Sequence, residues 1–196
     1  IVGLSMVLAG FGFKAAMAPF HMWAPDVYEG APTPITAHLA VLSKAAIFAL
    51  ILRFFAEALF SSLDQWQITI AIFAAVTMTI GNLVALAQRN IKRLLAYSSI
   101  GQVGFLLVGV AALNATASNA IILHLVGYSF TTLAVFMVVI AVENHTGKEE
   151  ITDMAGLASR SPLSAMGMTA ALFSLAGLPI FAGFITKFYL FTAAAE

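Results

Sequence analysis

From Leu94 to Val142 the chain contains no Asp, Glu, Lys or Arg. The only interruption of this apolar run is Asn114-Ala-Thr-Ala-Ser-Asn119, which reads as a tight turn. Each arm is close to the ~20 residues that carry a helix across a bilayer. In lipid, every backbone N–H and C=O must find its partner inside the segment, and a helix achieves this. The run therefore predicts a transmembrane helical hairpin. Composition extends that conclusion to the whole chain. Of its 196 residues 61% are hydrophobic and only 9% are charged, against roughly 25% charged in soluble domains. Nine basic and nine acidic residues cannot clothe a soluble surface of this size. The mean hydropathy of +0.98 agrees that lipid is the main solvent.

Six apolar segments follow from the same count, and the predicted fold is an all-α, polytopic transmembrane helix bundle. They run from about Ile1 to Trp23, Ile35 to Leu59, Trp66 to Gln88, Ile91 to Leu113, Ser118 to Val142 and Pro162 to Thr192. The connectors carry turn residues. Ala24 to Pro34 holds three prolines, Ser61 to Gln65 is short and polar, and Asn144 to Ser161 is the longest loop. The chain begins at Ile1 without Met and stops just after an apolar run, with no basic leader, so it reads as an internal piece of a longer protein. Arg89, Lys92 and Arg93 fall within six positions, and Lys148 and Arg160 lie two loops on. The positive-inside rule places both loops in the cytoplasm, with the Asp26 loop on the same side by alternation. Trp23, Tyr28, Trp66 and Tyr97 stand near segment ends, where aromatic belts form. A net charge of zero gives no footprint for nucleic acid, and the absence of cysteine excludes disulfides, thiolate-held iron–sulfur clusters and cysteine nucleophiles from this chain.

Lys14, Lys44 and Lys187 are the only charges deep in the apolar segments. A charged lysine at a helix centre costs about 2.5–3.5 kcal/mol on insertion scales. Burial disfavours its charged form, and a lysine near that balance loads and unloads a proton. Two plainer readings stand beside this one: snorkelling, and pairing with a carboxylate outside the chain. Lys14 precedes Pro19, and Lys187 follows Gly177-Leu-Pro-Ile-Phe-Ala-Gly183. Glycine and proline inside a span free backbone groups that protein or cavity water must satisfy, so the first and sixth segments are expected to be broken helices. Paired broken helices near the midplane point to a transport site, although a packing kink has the same local sequence. His124 lies mid-segment with Tyr128 one turn later on the same face. Histidine suits proton exchange, and a neutral imidazole bridging two helices fits equally. The four scattered histidines form no metal-binding pattern. Ser98, Ser99, Gly101, Gly104 and Gly109 give the fourth segment a small-residue face suited to close packing.

The stretch Phe13-Lys-Ala-Ala-Met-Ala-Pro-Phe-His-Met-Trp-Ala-Pro-Asp-Val-Tyr-Glu-Gly-Ala-Pro-Thr-Pro34 resembles the signature of the antiporter-like membrane subunits of respiratory complex I. Gln88 to Gly101, Ser174-Leu-Ala-Gly-Leu-Pro and Gly183-Phe-Ile-Thr-Lys-Phe188 continue the resemblance over essentially the whole chain. Ser43-Lys44 and Asp26-Val-Tyr-Glu-Gly30 are similar to the N-type subunit in particular. The resemblance implies that residues 1–196 form helices seven to twelve of about fourteen in one antiporter-like domain, with two discontinuous helices. It implies a proton relay through Lys14, Lys44 and Lys187, with a glutamate on an earlier helix acting on Lys14; His124 and Tyr128 are additional candidates. Redox chemistry would lie in partner subunits, which would hold NADH, FMN, iron–sulfur clusters and quinone, because this chain carries no motif for them. The implied partners are other membrane subunits of complex I, the bilayer, protons and internal water, and the implied location is the bacterial plasma membrane. A Mrp-type sodium/proton antiporter, a membrane-hydrogenase subunit, a non-conducting scaffold and a quinone-binding membrane enzyme are the competing readings.

Overall fold

Each predicted apolar run is helical in the computed structural model, which describes residues 2–59 and 63–196. In chain order the helices are α1 (Val2–Ala15), α2 (Trp23–Gly30), α3 (Thr33–Glu57), α4 (Leu63–Ala85), α5 (Ile91–Ala112), α6 (Ala115–Thr146), α7 (Leu157–Arg160), α8 (Pro162–Ala176) and α9 (Ala182–Ala195). A 3-10 turn covers Ile151–Met154. Helices α3 to α6 are each long and apolar enough to span a membrane. The remaining two crossings are split, the first into α1 and α2 and the last into α8 and α9. The protein is thus a polytopic transmembrane helix bundle, with the two discontinuities where glycine and proline predict them.

Caps and prolines set the helix starts. The Asn90 side chain accepts from Lys92 N at 2.8 Å and Arg93 N at 3.2 Å at the head of α5, and Asn114 accepts from Ala117 N at 2.6 Å at the head of α6. Pro34 and Pro162 lie in the first turns of α3 and α8, where a missing N–H costs nothing.

Three connector readings need correction. The proline-rich stretch after Trp23 is not a loop throughout, because Trp23–Gly30 is the helix α2 and Pro25 is tolerated in its first turn. The turn at Asn114–Asn119 shrinks to Leu113, in the left-handed region at φ 38°, and the cap Asn114. The long loop after Val142 begins only at Gly147, because α6 continues to Thr146, and it contains the 3-10 turn and α7. The connector read at Ser61–Gln65 starts outside the described residues, with α4 already formed at Leu63. The aromatic-belt reading also fails for Tyr28, Trp66 and Tyr97, which are buried in the bundle. The Trp66 indole donates to the Leu59 carbonyl at 3.0 Å and packs edge-on against Phe55.

Helix α5 is the centre of the bundle. It touches α2, α3, α4, α6 and α9, and Leu95, Ile100, Val103, Leu106 and Val110 are almost completely enclosed. Its small-residue face packs as predicted. A Cβ on Gly104 would lie 2.7 Å from Met78 N of α4, so only glycine permits that approach. The three connectors assigned to one side by alternation do meet at one end. There Arg93 pairs with Asp26 at 2.8 Å and Glu29 at 2.7 Å, and Lys92 pairs with Glu149 at 2.6 Å.

Candidate functional site

Both broken helices end in the same way. At the first break Ala16 takes φ 60°, the Ala16 N–H bonds the Phe13 carbonyl at 3.1 Å, and the Met17 N–H bonds the Gly12 carbonyl at 2.8 Å. At the second break Gly177 takes φ 84°, the Gly177 N–H bonds the Ser174 carbonyl at 3.0 Å, and the Leu178 N–H bonds the Phe173 carbonyl at 3.0 Å. Each is a Schellman motif around a left-handed residue.

The groups freed beyond these ends find specific partners, as an apolar surrounding requires. At the first break the Ala18 N–H donates to Thr77 Oγ1 of α4 at 3.1 Å, and the Trp23 indole donates to the Phe13 carbonyl at 2.8 Å. At the second the Gly183 N–H donates to Ser174 Oγ at 3.0 Å. The Leu175 carbonyl accepts from Lys187 Nζ at 2.7 Å and from Gln102 Nε2 at 3.1 Å, and the Ala176 carbonyl accepts from Lys187 at 3.3 Å. Lys187 Nζ also lies 4.4 Å from the centroid of the Phe105 ring, a cation–π distance.

The three predicted lysines occupy different environments. Lys14 is in the last turn of α1 and is exposed on the surface of this chain. Lys44 of α3 is 4% exposed. Both line one small cavity, walled by Tyr28, Ala96 and Ser99. Lys187 lines a second small cavity with Gln102, His124 and Ser174.

The space between the two cavities is filled with side chains that can pass a proton. Lys44 Nζ donates to both the carbonyl and the hydroxyl of Ser99. The Ser99 hydroxyl lies 3.0 Å from Tyr128 OH, and Lys44 Nζ is 5.6 Å from the Tyr128 ring centroid. A serine hydroxyl accepts on two lone pairs and donates once, so Ser99 can take a proton from Lys44 while giving its own to Tyr128. One turn earlier on α6, the His124 ring lies nearly parallel to Tyr128 at 6.5 Å. His124 Nδ1 meets Thr186 Oγ1 at 2.9 Å, and the Thr186 hydroxyl donates to the Gly183 carbonyl at 3.1 Å. The other ring nitrogen, His124 Nε2, is buried with no hydrogen-bond partner among the described residues. Helices α5 and α6 thus bridge the two lysine cavities through Ser99, Gln102, Tyr128 and His124. A cleft of about 470 Å³ lies apart from these groups, between α6 and the α7–α8 corner, beside His145 and Arg160.

Some members of this arrangement were not visible in the sequence as functional. The sequence presents Ser99 as a packing residue and Thr186 only as part of the Gly183–Phe188 stretch, and Thr77 and Gln102 stand out in no pattern. The available signal was the freed backbone itself, because each break implies a hydroxyl or amide partner without saying which.

These features have counterparts in known proteins. The chain is 50% identical over 196 residues to NADH-quinone oxidoreductase subunit N of Desulforamulus reducens, covering 100% of this chain and 41% of the relative. The chain therefore spans about two fifths of the length of the curated relatives it matches. Among solved structures, a chain of respiratory complex I from Thermus thermophilus with bound aureothin superposes with a TM-score of 0.79 at 37% identity, covering 99% of this chain and 42% of that one. A chain of the Mrp complex from Dietzia sp. DQ12-45-1b superposes with a TM-score of 0.92 at 29% identity, covering 99% of this chain and 36% of that one. The model of one family of membrane proteins matches residues 1–196, the whole of the sequence, and the chain, with its two broken helices, belongs to that family, NADH:quinone oxidoreductase/Mrp antiporter, transmembrane.

Proposed function

We propose that this chain is the central part, helices seven to twelve of about fourteen, of the N-type proton-translocating membrane subunit of a bacterial NADH–quinone oxidoreductase. In this reading Lys14, Lys44 and Lys187 carry protons along a hydrated path at half-membrane depth. Ser99, Tyr128, His124 and Thr186 connect the lysine cavities. NADH oxidation and quinone reduction occur in partner subunits, where FMN, iron–sulfur clusters and quinone are bound. Neighbouring membrane subunits of the complex flank the chain in the plasma membrane.

One observation carries the reading. Lys44 is enclosed in protein, and its hydrogen-bond partners among the described residues are a serine hydroxyl and a carbonyl, with no carboxylate. Enclosing an ammonium group without a counter-ion is costly. A carboxylate would hold the proton on the lysine, whereas a hydroxyl leaves it free to move on. The identity to subunit N relatives supports complex I membership. The matching family also includes Mrp antiporters, which supplies the second reading, a sodium/proton antiporter.

The test is Lys44→Ala in the full-length protein within the assembled complex, with electron transfer and proton pumping measured in membrane vesicles. Loss of both in an intact complex is the expected result. Wild-type rates of both would overturn the relay and leave a scaffold. Activity that requires sodium and moves it would favour the antiporter reading.

A further inference from the structure

Lys92 is a buried lysine, 2% exposed, that the relay does not use. It and Arg93 occupy the second and third positions of α5, immediately after the cap Asn90. Cations there oppose the helix macrodipole. Their placement makes sense only through groups that other elements bring to this helix end. Lys92 Nζ holds Glu149 Oε1 at 2.6 Å and the Ala31 carbonyl at 3.2 Å. Arg93 holds Asp26 and Glu29 of α2 at 2.8 and 2.7 Å. Asn90 Nδ2 donates to Glu149 Oε2 at 3.2 Å. Backbone bonds complete the joint, from Ile91 N to the Glu149 carbonyl and from Ile151 N to the Arg89 carbonyl, both at 2.9 Å.

The joint has a consequence for the lysine cavity. Helix α2 has eight residues, too few to persist without tertiary support. It carries Ala24 and Tyr28, which wall the cavity of Lys14 and Lys44. Ala96 and Ser99, the opposite wall, lie one and two turns along α5 from Lys92. Residue 149, on the other side of the joint, begins the segment that leads into the second broken helix.

We propose that Lys92 is a positioning residue: by gripping the Ala31 carbonyl and Glu149 at the head of α5, it holds α2 in place as the wall of the Lys14–Lys44 cavity and ties it to the segment entering α8. The functional part of this rests on the relay reading above, and the structural part does not.

The chain has no cysteine, so a single introduced thiol can be read on this subunit once it is separated from the cysteine-bearing partner subunits after labelling. The experiment uses the full-length protein, free of other cysteines and in the assembled complex, with Ala24→Cys as reporter. Its reaction with a membrane-impermeant maleimide and the protons moved per electron are measured together. Ala24 is 2% exposed, so labelling is slow while the joint holds. Lys92→Met should speed labelling about tenfold, the effect of a roughly tenfold larger open population, and lower the proton-to-electron ratio. Lys92→Arg, which keeps a donor for both partners, should restore both readings. Glu149→Gln leaves the Ala31 contact and should speed labelling by a smaller factor. It also decides the matter if Lys92→Met fails to assemble. Labelling at the wild-type rate in every variant that assembles would overturn the proposal. Faster labelling with an unchanged proton ratio would retain the structural joint and overturn its role in positioning the relay. A failed relay reading shows instead as normal pumping in Lys44→Ala.

Discussion

Ala16 and Gly177 hold the same position in two Schellman motifs, one closing each broken helix, but only one of them is glycine. The left-handed conformation costs a residue with a Cβ roughly 1–2 kcal/mol. At Gly177 there is a second penalty, because a Cβ would meet Cδ of Lys187 at 3.1 Å and its Nζ at 3.3 Å. Gly177→Ala is therefore expected to destabilise the protein by about 2 kcal/mol or more and to displace Lys187. Ala16→Gly relieves the same strain but loses a buried methyl worth about 0.8 kcal/mol and adds backbone entropy to the unfolded chain, so it should stay close to wild type. Thermal unfolding of the two variants in detergent checks this asymmetry, and equal melting temperatures would refute it.

Ser99 serves both Lys44 and Tyr128 through one hydroxyl. Ser99→Ala should therefore slow proton pumping about as much as Ser99→Ala combined with Tyr128→Phe, because either change breaks the same path. A hydrogen bond to a charged group is worth about 1.5–3 kcal/mol, which corresponds to a slowing of roughly tenfold or more. Pumping rates of the two single variants and the double variant measure the coupling. Simple additivity would mean that Ser99 and Tyr128 act on separate routes.

Thr77 is fully buried and accepts the Ala18 N–H across a helix boundary. Thr77→Val keeps the shape and leaves that donor unpaired, at about 1–3 kcal/mol. Thr77→Ser keeps the hydroxyl and should cost less. The yield and melting temperature of the assembled complex test the pair. Valine and serine variants of equal stability would show that the break does not depend on this bond.

The crossings were legible because lipid allows few solutions. An apolar run of sufficient length becomes a helix, and glycine with proline inside it becomes a break, as at Pro19 and Gly177. Lys14, Lys44 and Lys187 stand out in the sequence as candidates because charge in an apolar span has no packing purpose. Ser99 and Thr77 do not, since one hydroxyl on a helix face looks the same whether it bonds its own backbone or a neighbour. Lys92 was hidden for the opposite reason. It sits in a basic connector that reads as solvated, and only the fold brings Glu149 and Ala31 close enough to enclose it. Tyr28 and Tyr97 were misplaced because proximity to a segment end says nothing about which way a ring faces.

The central position of α5 has an effect on how polar such a helix can be. The other long spans are exposed on this chain along much of their length, whereas α5 is walled by protein around most of its circumference. Its side chains therefore meet a protein interior in place of hydrocarbon, and Ser99 and Gln102 are stabilised by the partners that neighbouring helices supply. This helix is accordingly the least hydropathic of the four long spans. A search for membrane segments that trusts apolarity alone will rank last the helix on which the two lysine cavities converge.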